Sequence, residues 1–243
     1  MKKLTFCLAI LLLSATQSVA SDLNYLYKVT FVRAAPGRLL DFIDLYKQKI
    51  AAHVESGDES PFWLRHSQGD HWDLMIIVPI NNYPEYYQAS RIEKRNKINA
   101  SLSFIEKSKQ MVSWQEDLFV YGADLSEVKN AFSCGSYFHV EVFQAIAGKH
   151  AELFKQREME NVYLKTLNRP QNLIFVRDQG AGWDLFTLGF YRDIKHFAES
   201  ADIPADQEDA AAKKAGFEAA NRIGTYLRTL ISRHQDTLAG AVN

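Results

Sequence analysis

The sequence predicts an α+β protein made of two tandem copies of one strand, helix, strand, strand, helix, strand unit. Three observations support this: an internal repeat with a constant offset, the same order of periodic segments in both copies, and a hairpin signature found in each. We place the copies at residues 21–125 and 126–243, after a leader at residues 1–20.

The first twenty residues are typical of a secretory leader. Lys2 and Lys3 precede an apolar run from Leu4 to Leu13, and Ser18-Val19-Ala20 forms a small-residue cleavage site. The run is shorter than the roughly 20 residues that span a bilayer, so we expect cleavage after Ala20 and no membrane anchor. A periplasmic or secreted location is therefore predicted.

A shift of 111 positions aligns the two copies without a gap. The matched positions are Val29 with Val140, Ala34 with Ala145, Gly37 with Gly148, Gln68-Gly69 with Gln179-Gly180, and Trp72-Asp73-Leu74 with Trp183-Asp184-Leu185. The chain has only four Trp residues, so the Trp match indicates duplication rather than chance.

In the first copy, alternating apolar residues predict a strand, and Pro36-Gly37 then opens a helix. A hairpin and a second helical region follow, and a last strand closes the copy. The predicted segments are a strand around Tyr27–Phe31, helical spacing from Leu39 to Tyr46, a hairpin arm at Phe62–His66 with its return arm at Trp72, helix from Tyr83 to about Met111, and a strand at Trp114–Tyr121.

The second copy repeats this order. Its predicted segments are a strand around Phe138–Val142, a helix after Ala147-Gly148, a hairpin arm at Leu173–Arg177 with its return arm at Trp183, helix from about Ala205 to Ser232, and a strand at His234–Ala239. The segment from Gly122 to Asn130 links the copies. In both hairpins we expect the Trp to close the core and the Asp to accept turn N–H groups.

The element order is that of a ferredoxin-like fold, whose sheet carries helices on one face only. The second copy is the nearest cover for the bare face, so we expect the two sheets to face each other in one chain. This arrangement resembles the dimeric α/β-barrel superfamily, in particular its tandem members and the NIPSNAP-like and antibiotic-biosynthesis-monooxygenase-like domains. The resemblance implies cofactor-free monooxygenase, haem-dependent, isomerase or non-catalytic functions without choosing among them.

The polar residues of the first strand in each copy are the main candidates for a site. We expect Tyr27, Val29 and Phe31 to pack under helices, and the alternate residues to point between the sheets. The predicted ligand-binding residues are Lys28, Thr30, His139, Glu141, Phe143 and Asp236.

Four interpretations of His139 and Glu141 remain open: an acid/base pair, a metal-ligand pair, a haem ligand with its orienting partner, or residues with a structural role only. His234, with Asp236 on the same strand face, is a third weak catalytic candidate beside His139 and Glu141. The remaining His residues lack a repeated ligand spacing and are assigned to the surface, so no metal site is predicted.

Composition and motifs exclude several functions. The chain has 28 basic and 29 acidic side chains, which leaves no basic excess for nucleic acid. Cys134 is the only Cys beyond the leader, so no internal disulfide is expected. Zinc-protease, serine-hydrolase and nucleotide-binding motifs are absent.

Three hypotheses remain open. The first is a protein that binds a small apolar or aromatic molecule between its sheets, near Trp63, Trp72, Phe143, Phe175 and Trp183. The second, implied by the resemblance, is a cofactor-free or haem-dependent monooxygenase-type enzyme that uses His139 and Glu141. The third is a structural or partner-binding module with a filled barrel. Because one chain supplies both sheets, we expect a monomer.

Overall fold

The computed structural model describes residues 23–242. The predicted leader and its cleavage site lie outside these residues, so export remains a prediction.

Among the described residues, eight antiparallel strands form one closed barrel in the order β1-β3-β2-β8-β5-β7-β6-β4. The strands are β1 (Tyr25–Ala34), β2 (Phe62–Gln68), β3 (Leu74–Asn81), β4 (Val112–Gly122), β5 (Tyr137–Ala145), β6 (Leu173–Gly180), β7 (Leu185–Tyr191) and β8 (Ile231–Ala241). Residues 25–122, the first half, supply four strands, and residues 137–241, the second half, supply the other four. The halves join where β2 pairs with β8 and β4 pairs with β6.

Helices cover the outside of the barrel. They are α1 (Leu39–Glu55), α2 (Tyr83–Tyr86), α3 (Ala89–Ser101), α4 (Phe104–Met111), α5 (Leu125–Cys134), α6 (His150–Thr166), α7 (Ile194–Ala198), α8 (Ala205–Ala215) and α9 (Ile223–Arg228). The predicted fold class, two ferredoxin-like units that face each other within one chain, is confirmed.

Some predicted boundaries are wrong. The helix predicted from Tyr83 to Met111 is three helices, and the last break falls at Ser103, which has a φ of 48°. The link from Gly122 to Asn130 is not a simple connection, because α5 occupies most of it. Leu125, Val128 and Phe132 lie on one face of α5 and pack against the barrel core.

The barrel interior is a packed apolar core that contains side chains of both halves. Tyr27, Val29 and Phe31 point inward, and Phe138, Val140 and Val142 join them from the second half. The predicted faces are therefore reversed. Lys28, Thr30, His139 and Glu141 lie on the outer face of the sheet, beneath helices.

The reversal has a physical reason. Alternation separates the two faces of a strand, but it does not say which face meets helices when both faces are covered. Here the apolar residues of each strand fill the interior of the barrel. The alternate residues, which include polar ones, face the helices, and the surface between the helices remains open. The space between the sheets is filled, so it offers no room for the predicted ligand.

The Trp-Asp pairs have the same structural task in both halves. Asp73 Oδ2 accepts a hydrogen bond from Ala34 N at 2.8 Å, and Asp184 Oδ2 accepts one from Ala145 N at 2.9 Å. Trp72 and Trp183 are buried in the barrel core. The structural interpretation of these pairs is confirmed, but the N–H groups that the Asp residues accept belong to the ends of β1 and β5 rather than to the hairpin turns.

The repeated Gln-Gly pairs mark the two places where the sheets join. Gly69 and Gly180 both have positive φ angles, 122° and 94°. A Cβ at Gly69 would lie 2.2 Å from the carbonyl oxygen of Asp236, and one at Gly180 would lie 2.4 Å from that of Asp117. Only glycine fits this close approach of two strands.

None of the helices within residues 23–242 combines the length and apolar character needed to cross a bilayer.

Candidate functional site

The first half has a cavity of about 190 Å³ between the outer face of its sheet and the helices α1, α3 and α4. Its floor is formed by β1 and β3, and aromatic side chains of the helices form much of its wall. We call this space the first-half cavity. Its main lining residues are Lys28, Tyr46, Lys49, His53, Asn99 and Phe104.

One face of α1 supplies the chemistry of the first-half cavity. Phe42, Tyr46, Lys49 and His53 follow each other at steps of four, three and four residues, so they lie on one side of the helix. Phe42 is buried against the sheet, and the later residues of this face carry polar groups. The apolar face that anchors α1 to the sheet thus continues as a row of side chains with polar groups over the cavity.

Lys49 is the most unusual of these residues. Its ammonium lies 4.0 Å from the ring centre of Phe104 and 5.5 Å from that of Tyr46. Within residues 23–242 it makes no ion pair or hydrogen bond. Burial, together with the positive charge of Lys28, lowers the pKa of Lys49 from 10.5 to about 8. Lys49 therefore loses its proton more readily than an ordinary lysine, and its free amine forms as the pH rises through about 8.

Two further polar residues line the same space. The Oδ1 atom of Asn99 is buried and has no hydrogen-bond donor among the described residues. Burial raises the pKa of Tyr46 well above its usual value, so its hydroxyl stays protonated and can donate. A bound molecule with one donor and one acceptor would satisfy both groups.

His53 lies at the end of the row of side chains on α1, near the mouth of the cavity. Its Nδ1 is 2.7 Å from Asp58 Oδ2, and Lys94 Nζ is 2.9 Å from Asp58 Oδ1. Burial lowers the pKa of His53 despite the contact with Asp58, so the ring is neutral at neutral pH. Burial would raise the pKa of Asp58, but its hydrogen bonds with His53 and Lys94 outweigh burial and lower it.

On the strand side, Lys28 Nζ is 3.3 Å from Asp117 Oδ1, and the Thr30 hydroxyl donates to the same oxygen at 2.5 Å. Lys28 and Thr30 line the cavity. Burial would raise the pKa of Asp117, but Lys28, Thr30 and Gln115 outweigh burial and hold it below its ordinary value. Asp117 is thus an anion that orients the Lys28 ammonium.

The second half fills the equivalent space with a polar network. Arg157 of α6 contacts Glu141 at 3.3 Å and donates to Glu160. The Thr187 hydroxyl donates to Glu141 Oε2 at 3.0 Å. The side chain of Arg157 is only 2% exposed, and its guanidinium lies 4.7 Å from the ring centre of Phe143.

Two His side chains complete this network. His139 Nε2 lies 3.1 Å from Asp236 Oδ1, and His234 Nε2 lies 3.4 Å from Glu141 Oε1. Burial alone would lower the pKa of His139, but Asp236 and Glu141 outweigh burial and raise it. Burial would likewise raise the pKa of Glu141, but His234 and Arg157 reverse that effect and lower it.

The predicted site residues therefore divide between two places. Lys28 and Thr30 line the first-half cavity, whereas His139, Glu141, His234 and Asp236 meet in the second half, and Phe143 stacks on His234 there at 4.7 Å. The predicted shared face of His234 and Asp236 is confirmed, but they form no wall of a cavity between the sheets.

Four helical residues of the cavity were not predicted as site residues: Tyr46, Lys49, His53 and Asn99. The prediction that His53 is a surface residue is wrong, because it is half-buried at the cavity. A signal was present, since Lys49 and His53 continue the apolar stripe of Phe42 and Tyr46. A Lys and a His on an apolar helix face indicate a pocket rather than solvent.

No family model and no curated protein matches this chain. Solved structures do. An anthrone oxidase-like protein is 12% identical, with a TM-score of 0.58 over 90% of this chain and 92% of that chain. A candidate monooxygenase from Fusobacterium nucleatum is 12% identical, with a TM-score of 0.53 over 90% and 93%.

A mutant chlorite dismutase from Candidatus Nitrospira defluvii is 10% identical, with a TM-score of 0.52 over 90% of this chain and 92% of that chain. At these identities the similarity establishes the fold. The chain has the dimeric α/β-barrel architecture in its tandem form, as the resemblance implied.

Proposed function

We propose that this dimeric α/β-barrel protein is a monooxygenase-type enzyme that oxidises a small aromatic molecule in the first-half cavity without a cofactor. The observation that carries the proposal is Lys49, a half-buried amine with a pKa of about 8 and no ion-pair partner among the described residues. An amine of this kind suits a general base near neutral pH.

The walls of the cavity indicate the substrate class. Phe42, Tyr46, Tyr86 and Phe104 offer aromatic contacts. The positive charge of Lys28, joined by that of Lys49 once it has accepted a proton, favours a substrate that becomes an anion. The volume of about 190 Å³ lies below the roughly 300 Å³ at which drug-sized pockets begin. We therefore expect a compact molecule with a CH₂ group that a ring ketone makes acidic.

The chemistry follows from the position of the base. The Lys49 amine removes one proton from the CH₂ group, and the carbanion adds O₂ to form a C–O bond. The Lys49 ammonium returns its proton to the peroxide, which gives a hydroperoxide. Loss of the second C–H proton with cleavage of the O–O bond then yields a carbonyl and water. The balance is R₂CH₂ + O₂ → R₂C=O + H₂O.

Other residues position the substrate. The Tyr46 hydroxyl donates to the ketone oxygen, where negative charge develops after proton loss. The orphaned Asn99 Oδ1 accepts from a substrate hydroxyl or N–H group. The aromatic wall keeps water away from the carbanion.

Haem, which the sequence resemblance implied as a cofactor, does not fit the first-half cavity as it stands. The His53 and Asp58 pair has the arrangement of an oriented imidazole ligand. However, a cavity of about 190 Å³ is too small for a porphyrin, which exceeds drug size. His53 instead holds Asp58 at the cavity mouth.

The test is oxygen uptake with 2-indanone and anthrone as compact and larger probes, in buffer treated to remove metals. We expect one O₂ consumed per probe oxidised, and a rate that rises with pH through about 8 as the free amine forms. Lys49→Met should lower kcat/KM by about 10²-fold or more, as loss of a general base does. The control is Lys107→Met on the exposed face of α4, which should keep full activity.

Two outcomes would contradict the proposal. Probe binding without oxygen uptake would make the protein a binding protein, and uptake that survives Lys49→Met would remove the base. Titration with haemin gives a further check. A Soret band that His53→Ala removes and His139→Ala retains would replace the cofactor-free mechanism with a haem site in the same cavity.

A further inference from the structure

The second half carries a compact group of potential metal ligands that the proposed oxidation does not use. His139 and Glu141 lie on β5, and His234 and Asp236 lie on the neighbouring strand β8. In the register of these strands Glu141 stands opposite Asp236, and His234 stands opposite Phe143. All four side chains therefore converge on the outer face of the sheet, and we call them the second-half cluster.

Three of the six distances within this cluster are close to the edge length of a tetrahedral site. Asp236 Oδ1 lies 3.1 Å from His139 Nε2 and 3.5 Å from His234 Nε2, and His234 Nε2 lies 3.4 Å from Glu141 Oε1. Bonds of about 2.0–2.1 Å to a central zinc ion place neighbouring tetrahedral ligand atoms about 3.3 Å apart. Candidate ligand atoms of His139, Glu141 and Asp236 also lie within 4.8 Å of one another.

The surroundings already orient these ligands. Glu141 Oε2 accepts from Thr187 at 3.0 Å, and Arg157 contacts Oε2 at 3.3 Å and Oε1 at 3.4 Å, which holds Oε1 beside His234. The ring of His234 is stacked on Phe143 with an interplanar angle of 8°. Hydrogen bonds and packing of this kind, around the ligand side chains, fix the orientation of metal-binding His and carboxylate groups in proteins.

His234 supplies an independent observation. Its Nε2 atom is buried and has no hydrogen-bond partner within residues 23–242, although two carboxylate oxygens lie near it. A buried imidazole nitrogen without a partner is costly unless something else binds it. A cation between the nitrogen and the two oxygens would satisfy all three atoms.

The first half shows that the fold does not require this group. Lys28, Thr30 and Asp117 occupy the positions that His139, Glu141 and Asp236 hold in the second half, and in both halves the second and third of these are strand partners. A lysine and a threonine in place of His and Glu give no comparable ligand set. The second-half cluster is thus a departure from the repeat, not a structural necessity.

We propose that His139, Glu141, His234 and Asp236 bind one divalent transition-metal ion of the zinc type. Two imidazoles and two carboxylates form a ligand set that suits Zn²⁺ and its spectroscopic substitute Co²⁺. Asp236 is 55% exposed, so the ion can enter from solvent on that side. The two carboxylates of the cluster offset the charge of the ion, and Glu160 pairs with Arg157 beside them.

The test is Co²⁺ titration of the chelator-treated full chain without a histidine tag. We expect one Co²⁺ per chain, with the visible bands of a four-coordinate ion, and displacement of those bands by Zn²⁺. His234→Gln and Asp236→Asn should each weaken Co²⁺ binding at least about tenfold, because even outer-shell changes have effects of about 10–100-fold. His150→Gln is the matched control, since His150 forms another His–Asp pair in the same half, with Asp184 at 3.6 Å.

Folding is checked separately. Asp236→Asn keeps the shape of a partly exposed side chain, so its unfolding temperature without metal should stay close to that of the wild type. Zn²⁺ should raise the unfolding temperature of the wild type and of His150→Gln, but not that of Asp236→Asn. Equal Co²⁺ affinity for wild type and Asp236→Asn, or no 1:1 binding by the wild type, would overturn the proposal.

Discussion

The two halves of the barrel share strands, register and helix positions, yet they differ in the layer between sheet and helices. In the first half, Tyr46 and Lys49 of α1 leave a cavity open. At the matching positions of α6, shifted by 111, stand Arg157 and Glu160, which form a buried ionic network with Glu141. One duplicated scaffold therefore encloses a space in one half and fills it in the other.

This difference separates what the fold needs from what a site needs. Both halves keep the features that close the barrel: the Gln-Gly pairs at the seams, the Asp that accepts a strand-end N–H, and the Trp in the core. The outer-face residues differ between the two halves. Residues that differ between the copies are therefore better site candidates than residues that repeat.

The largest effect is expected from the network in the second half. Arg157→Leu leaves the buried carboxylate of Glu141 and the partly exposed carboxylate of Glu160 without their guanidinium partner, which should lower the free energy of unfolding by about 3–5 kcal/mol. The measurement is urea unfolding in metal-free buffer at neutral pH. Tyr46→Leu at the matching position of the first half should cost roughly 1 kcal/mol, because no buried charge loses a partner there. A smaller loss for Arg157→Leu than for Tyr46→Leu would show that the ionic network does not hold α6 in place.

The sequence predicted the architecture because its signals are local or repeated. Alternation in β1 and β5, the glycines before α1 and α6, and the Trp-Asp hairpins each report a backbone requirement. The matched offset then showed that the elements belong to two equivalent units. These signals are sufficient for element order and for the pairing of two sheets.

The site was harder to predict because it depends on which face of each strand meets the helices and which face meets the other half of the barrel. His139 and Glu141 were recognised as unusual, but they were assigned to the space between the sheets rather than to the layer under α6. Lys49 and Asn99 come from different helices, and only tertiary packing brings them to one cavity. Sequence spacing carries no information on such an encounter between elements.

The second largest effect concerns Lys49 in the first half, whose buried charge has, within residues 23–242, no ionic partner of the kind found in the second half. Lys49→Met should raise the free energy of unfolding at pH 7, because a lysine whose pKa falls from 10.5 to about 8 pays up to about 3 kcal/mol for burial of its charge. The sign with pH follows from that shift. Below pH 8 both states are protonated and the cost is complete, whereas between about 8 and 10.5 the folded state alone has lost its proton and the cost falls.

The measurement is urea unfolding of both proteins at several pH values. The stability difference between Lys49→Met and wild type should therefore shrink as the pH rises from about 8 towards 10.5. Lys107→Met on α4 is the control, and its small effect should not vary over this range. A destabilised Lys49→Met variant would mean that the contact of the ammonium with Phe104 outweighs burial. Gain of stability with loss of oxidation is the pattern expected of a site residue rather than a structural one.

The smallest effect concerns Lys28 and Asp117, the first-half pair that corresponds to His139 and Asp236 in the second half. Lys28 and Asp117 are 27% and 39% exposed, so solvent screens their contact and Lys28→Met should cost less than about 1 kcal/mol. Because the folded pKa of Asp117 is lowered, the stabilisation exists above its ordinary value near 3.8 and is lost as the pH falls below that value. A double-mutant cycle with Asp117→Asn, measured by urea unfolding at neutral pH and in acid, isolates the pair. A large coupling at neutral pH would show that the first half also depends on an ionic contact, and the distinction between an open half and a filled half would then rest on the cavity alone. A coupling that persists in acid would show that the contact does not depend on the charge of Asp117.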